Sequence, residues 1–335
     1  MSPGLRRISG RATRWAAPLG VLLGALLAVA SVGAAPEDAD GWLARLQQAA
    51  KVRNYQGTMV FSAGGVVSSS RVAHFRAGDQ DYERVEALDG RMHCVYRHND
   101  AVLTLWPQSR VAVQETRESR AGLSSPMPAL EQYSLKVLGG ERIAGRDAQV
   151  VLLVPRDEFR YPQRLWTDQA TGLMLRVDVL GPGSEVLESA AFSEVEIGIR
   201  PQPESVLGPM KKLDGYRIVQ RQQASTRLES EGWALGTLVA GFRMTNCVKR
   251  PLPADTGEAS AASPVLQAVF SDGLTHVSLF VENFDPARHR TPLHTQIGAT
   301  NTLMQRHGDA WWLTLMGDVP VATLRQFAAA LERRP

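Results

Sequence analysis

The stretch NYQGTMVFSAGG, residues 54–65, alternates like a β-strand running into a turn. Tyr55, Gly57, Met59 and Phe61 fall on one face, and Gln56, Thr58 and Val60 on the other. Neither face is cleanly polar, so the strand is expected to be covered on both sides. Gly57 sits in its middle, where a residue without a side chain weakens packing and marks a bend or a close approach.

The rhythm continues outward from this strand. Residues 66–75 read as its hairpin partner across Ser62-Ala63-Gly64-Gly65. Further period-2 runs follow at 82–88, 92–96, 102–106, 110–115, 141–143, 148–154, 163–167, 173–180 and 187–197, separated by turns such as LDGR, HND and AGRD. Short strands at this spacing indicate an antiparallel meander, and nothing alternates strand with helix in the βαβ manner. Residues 38–52 read as a helix with Trp42, Leu43, Leu46, Ala49 and Ala50 on one stripe. Residues 117–132 break the pattern as a long irregular insertion.

RPQPESVLGPMKK (200–212) carries three prolines and little periodicity, and is expected to be a linker. It divides a large domain, 35–199, from a small α+β domain, 213–335, with strands at 217–220, 238–245, 265–271, 277–282, 298–305 and 310–316. A terminal helix follows, with Pro320 in its first turn and Val321, Leu324, Phe327, Ala328 and Leu331 as its apolar stripe.

The chain has 335 residues, 44% apolar and 21% charged, which suits a folded two-domain protein. Residues 1–34 hold Arg6, Arg7, Arg11 and Arg14, then an apolar run and Val32-Gly33-Ala34, the pattern of a secretory signal. Removing its four arginines takes the net charge from +3 to −1, so the basic pI gives no argument for nucleic acid. The Arg6-Arg7 pair leaves Sec and twin-arginine export both open. A soluble periplasmic or secreted protein is expected. In an oxidising compartment Cys94 and Cys247 are open to two readings, buried thiols or an interdomain disulfide.

The residues give little support to catalysis. G-x-S-x-G, H-E-x-x-H, C-x-x-C and Walker motifs are absent from the sequence, and no cofactor or metal is expected. His93 and Cys94 point to opposite faces of a strand and do not share one ion. The apolar content of the first domain suggests a lipid or acyl-chain site on a curved sheet, with Met59, Phe61, Trp106, Met127, Phe159, Tyr161 and Trp166 as its candidates; plain core packing is the alternative for each. Arg288, His289 and Arg290 form a positive cluster in DPARHRTPLH (285–294), suited to anionic groups on a partner if it is more than a solvated loop.

The sequence resembles the RseB/MucB family of periplasmic regulators of the envelope-stress sigma factor. The resemblance is carried by NYQGTMVF (54–61), ERVEALDG (83–90), the long run from AGRDAQVVLLVPRDEFRYP to FSEVEIG (144–198), SDGLTHVSLFVE (271–282) and GATNTLMQRHGDAWWLTLMGDVP (298–320). Their order spans nearly the whole mature chain. The resemblance implies a mainly β, α+β protein. Its large domain would be an unclosed antiparallel barrel like LolA and LolB, plugged by helices, with a smaller C-terminal domain that binds the partner. It further implies a non-enzymatic protein that binds the periplasmic part of a membrane anti-sigma factor of the RseA or MucA type. Such proteins shield that factor from a DegS-type site-1 protease and are released by lipopolysaccharide or another envelope lipid; homo-oligomers are possible. The sequence departs from the family pattern at 254–263, which is long, and at WALGTLVAGF (233–242). A lipid or lipoprotein carrier is the alternative, and the domain at 213–335 is what argues against it.

Overall fold

In the computed structural model, residues 39–116, 130–221, 224–250, 264–289 and 291–334 are described. The large unit begins with helix α1 (Ala39–Val52) and runs through β1 (Tyr55–Ala63), β2 (Val66–Ala77), β3 (Gln80–Ala87), β4 (Cys94–His98), β5 (Ala101–Trp106) and β6 (Val111–Thr116). It continues with β7 (Tyr133–Ile143), β8 (Arg146–Pro155), β9 (Gln163–Asp168), β10 (Met174–Leu180) and β11 (Val186–Ile197). Helix α2 (Glu204–Lys211) and strand β12 (Arg217–Arg221) complete it. These strands form one 12-stranded sheet in the order β12-β6-β5-β4-β3-β2-β1-β11-β10-β9-β8-β7. Its edges, β12 and β7, do not pair, so the sheet is unclosed. The meander read from the sequence is therefore the observed architecture, with β1 near its centre.

Two helices cover parts of the sheet. On α1, Trp42 is 2% exposed and packs with Tyr133, Val151, Leu153 and Leu165. Helix α2 buries Val206 completely against Phe75, Tyr82, Tyr96 and Leu103. This helix occupies the segment expected to be an irregular linker. Pro203 stands at its N-cap and Pro209 lies inside it. Proline costs an isolated helix dearly, but the buried apolar face of α2 outweighs local propensity. Strand β12, expected in the small domain, instead pairs in parallel with β6 at the edge of the large sheet. The linker reading thus gives way to a segment built into the large unit's sheet and core.

The small unit holds β13 (Ala224–Ser225), β14 (Trp233–Leu235), β15 (Arg243–Arg250), β16 (Val265–Ser271), β17 (His276–Asn283), β18 (Leu293–Ile297), β19 (Thr300–His307) and β20 (Trp311–Gly317). Helix α3 (Val321–Ala330) and β21 (Leu331–Arg333) end it. Seven of these strands form a sheet ordered β13-β15-β16-β17-β20-β19-β18. Leu324, Phe327 and Ala328 of α3 repeat at three and four residues and pack on Phe270, Leu279, Leu313 and Leu315. Cys247 lies in this core and Cys94 in the core under α2, and the two are not bridged.

Candidate functional site

The sequence PRDEFRYP (155–162) leaves β8 and enters the seam between the two units. Its Arg160 is fully buried, as is Asp272 in the turn after β16. Arg160 Nε donates to Asp272 Oδ2 at 2.6 Å, and the Tyr133 hydroxyl donates to the same oxygen at 2.8 Å. The other carboxylate oxygen accepts the N–H groups of Leu274 and Thr275, at 3.0 and 2.9 Å. The remaining guanidinium nitrogens bond the Asp157 carboxylate and the Ala240 carbonyl. The ring of Phe242 lies 4.8 Å from the guanidinium carbon. Every side of the buried charge therefore meets a partner, as burial of an ion requires. Burial, then the Asp272 charge, raises the Tyr133 phenol far above its ordinary range, so it stays a donor.

Two further bonds cross the seam. Thr323 Oγ1 donates to the Phe159 carbonyl at 2.6 Å, and Asn301 Nδ2 donates to the Tyr161 hydroxyl at 3.1 Å. Phe159 packs on the small unit's core. Beyond them, Glu188 of β11 stands near Asp318 and His276 of the small unit. Burial, then the Asp318 charge, raises the Glu188 carboxyl. His276 Nδ1 lies 3.0 Å from Asp318 Oδ1, a bond that raises the imidazole above 6.5. Asp318 is lowered: burial alone acts upward, and its hydrogen bonds with His276 and Thr275 overcome it.

The sign of this pair's effect on stability follows. A raised histidine stabilises the fold fully below 6.5 and loses that contribution as pH rises through its folded value. A lowered aspartate contributes above 3.8 and loses it as pH falls. His276→Asn is therefore expected to lower the melting temperature most between these two values and progressively less toward pH 8. Because His276 is more than half exposed, solvent screening keeps the effect small. Thermal melts of both proteins across that range check it, and a constant difference at every pH would remove the ion pair as the cause.

The residues singled out for lipid lie in different surroundings. Phe159 and Tyr161 are in the seam. Trp166 is 2% exposed, donates to Glu141 Oε2 at 2.8 Å and has the Arg176 guanidinium 4.6 Å from its ring. Met59 packs beside Phe192 and Val72. Trp106 is half-buried, its ring stacked 6.5 Å from that of His93. Among the described candidates Phe61 has the most open face, 40% exposed. Met127 lies outside the described residues, as does Arg290. Of the positive cluster, Arg288 reaches Glu282 at 3.3 Å. His289 is buried and stacks on Trp312 with centroids 4.9 Å apart. Its Nδ1 accepts the Asp285 N–H at 2.9 Å, which leaves the ring proton on Nε2, 3.4 Å from Glu282.

Sequence reading singled out none of Tyr133, Arg160 and Asp272. Arg160 and Asp272 are 112 residues apart, and only the fold brings them together. The one local signal was an arginine among aromatics in a proline-bounded loop.

An unclosed sheet, antiparallel but for the β12–β6 pair, is joined by a buried polar seam to a second, α+β unit. Among the described residues no group of acids, cysteines and histidines is arranged to hold a metal. The chain belongs to the MucB/RseB family: the family's N-terminal domain matches residues 38–210 and its C-terminal domain residues 227–332. The sigma factor AlgU regulatory protein MucB of Pseudomonas aeruginosa is 27% identical over 344 residues, covering 93% of this chain and 95% of that protein. The sigma-E factor regulatory protein RseB of Escherichia coli is 23% identical, covering 92% of this chain and 95% of its own. Among solved structures, MucB crystallised with periplasmic MucA superposes with a TM-score of 0.65 at 25% identity, covering 89% of this chain and 100% of that one.

Proposed function

We propose that this protein is a non-enzymatic periplasmic regulator that binds the periplasmic region of a membrane anti-sigma factor of the MucA or RseA type. Binding shields that factor from site-1 proteolysis and so represses the envelope stress response. A lipid such as lipopolysaccharide favours a conformation with lower affinity for the factor and releases it; a ligand shifts such an equilibrium only by its differential affinity for the two states. The observation that carries this reading is the likeness, through both domains in order, to a MucB chain crystallised with periplasmic MucA. Phe61, with its open face, is the lipid candidate best placed to meet an acyl chain, and Arg288 the exposed member of the positive cluster on the partner side.

The test is proteolysis of the anti-sigma periplasmic segment by its site-1 protease, with and without this protein and with and without lipopolysaccharide. Cleavage is expected to slow with the protein and recover with the lipid. A coupling of about 1–3 kcal/mol between the two ligands changes partner affinity by about 5–150-fold, which is ample to read. Equal cleavage in all four mixtures, with the protein shown to be folded, would end the proposal.

A further inference from the structure

On the face of β1 opposite Met59 lies a cleft of about 470 Å³, within the size range of small-molecule sites. Its polar lining comes chiefly from Gln56 and Thr58 of β1, Arg71 of β2, Arg84 of β3, and Glu194 and Glu196 of β11. Strand register explains the placement of the charges. Glu196, Gln56, Ala73 and Arg84 form one rung across four strands. Glu194, Thr58, Arg71 and Glu86 form the next. Residues of one rung share a face, and at about 4.8 Å per strand Arg84 and Glu196 start about 14 Å apart along the sheet.

The two sides are committed to different degrees. Glu196 accepts from Gln56 at 2.8 Å and Glu194 from Thr58 at 2.7 Å, each through one carboxylate oxygen. Arg71 reaches Glu86 at 3.2 Å. The Arg84 Nε is buried without a hydrogen-bond acceptor among the described residues, and its charge acts on Cys94 and Tyr96 of β4. A buried donor left unmade is costly, so the Arg84 Nε stands ready for an acceptor. A simple anion would also meet Glu86, Glu194 and Glu196, and a simple cation would meet Arg84 and Arg71. Both objections vanish for a ligand that carries both charges on a short spacer.

We propose that this cleft binds a small zwitterion of the phosphoethanolamine kind, its phosphoryl group at Arg84 and its ammonium at Glu194 and Glu196. A phosphoryl group offers the several oxygens that a guanidinium with a neighbouring arginine takes best. The same chemistry comes from a soluble metabolite or from a lipid headgroup. This site is independent of anti-sigma binding.

Calorimetric titration of the mature protein with O-phosphoethanolamine tests it, beside inorganic phosphate and ethanolamine each alone. Binding of the zwitterion is expected to exceed that of either half by about tenfold or more, since each end supplies a charge-assisted bond. Arg84→Met and Glu194→Gln, each confirmed folded by circular dichroism, are expected to weaken it by about tenfold or more. Vesicles with and without phosphatidylethanolamine separate the sources: recruitment that the free compound competes away assigns the headgroup, and no recruitment assigns the soluble compound. No binding at millimolar concentration, phosphate alone binding as well, or affinity unchanged in both folded variants overturns the proposal.

Discussion

Asp272→Ala is expected to destabilise the protein by about 3–5 kcal/mol, the cost of removing one partner from a buried ion pair. The substitution leaves Arg160 fully buried with its Nε unpaired, strands the Tyr133 hydroxyl and frees the N–H groups of Leu274 and Thr275. Urea unfolding followed by tryptophan fluorescence reads the loss. Small-angle scattering reads a second consequence, because these bonds join the two units: the variant is expected to expand before it unfolds. A second variant separates the charge from the geometry. Arg160→Met with Asp272→Leu replaces both partners by apolar groups, and buried pairs exchanged in this way are often neutral. The double variant is therefore expected to regain the part of the loss that comes from the unpaired Arg160 charge, while Tyr133, Leu274 and Thr275 stay without their acceptor, and the two substitutions are expected to be non-additive. An Asp272→Ala protein within about 1 kcal/mol of the parent and unchanged in size would mean that the seam is held by packing alone.

That seam bears on regulation. A proline-bearing linker on its own predicts loosely tethered domains. Here the segment 204–211 is helix α2, docked on the large unit's core, and 217–221 is one of its strands. A ligand that separates the units must therefore break fully buried polar bonds, not merely bend a linker. The conformational change in the proposed mechanism has a definite energetic obstacle, centred on Arg160.

The sequence made some levels of this structure plain and hid others, for physical reasons. Period-2 alternation exposed strands of the large sheet such as β4 and β5, which bury alternate residues. It missed β18, whose five residues are all exposed, so no alternation marks it. It missed α2 because Pro203 and Pro209 are local signals against a helix, whereas the burial of Val206 is a tertiary one. It placed β12 in the wrong unit because no local feature of Arg217–Arg221 encodes a parallel partner in β6. The candidate aromatics show the same limit. Phe159, Tyr161 and Trp166 cluster in sequence, but the first two turn into the seam and Trp166 lies under arginines. Composition tells that such residues seek cover, not which cover they find.

Gly57→Ala is expected to destabilise the protein by about 1–3 kcal/mol, the cost of forcing an extra methyl into packed structure. The sign is the informative part. In an ordinary strand interior the change from glycine to alanine stabilises by roughly 0.5–1 kcal/mol, through lost freedom in the unfolded chain. At Gly57 a Cβ would run into the Glu194 carbonyl and lie 3.0 Å from the Val195 Cα and 3.1 Å from a Phe192 ring carbon. The first two belong to the backbone and cannot rotate away. The cause is the register shift between Thr58 and Met59, where β11 carries an extra residue and bends toward β1. Relief requires β1 and β11 to part, and that pair lies in the middle of the sheet, with β2 on one side and β10 on the other. Gly65→Ala is the control for backbone strain, since its φ of +81° is unfavourable to alanine but nothing lies within 4 Å. Equilibrium unfolding of both variants decides the matter. A Gly57→Ala protein as stable as the parent would show that β11 can yield. The expected loss would show that the bend is fixed, with Tyr55 and Met59 packed on Phe192 and Val72 on one face and the charged cleft open on the other.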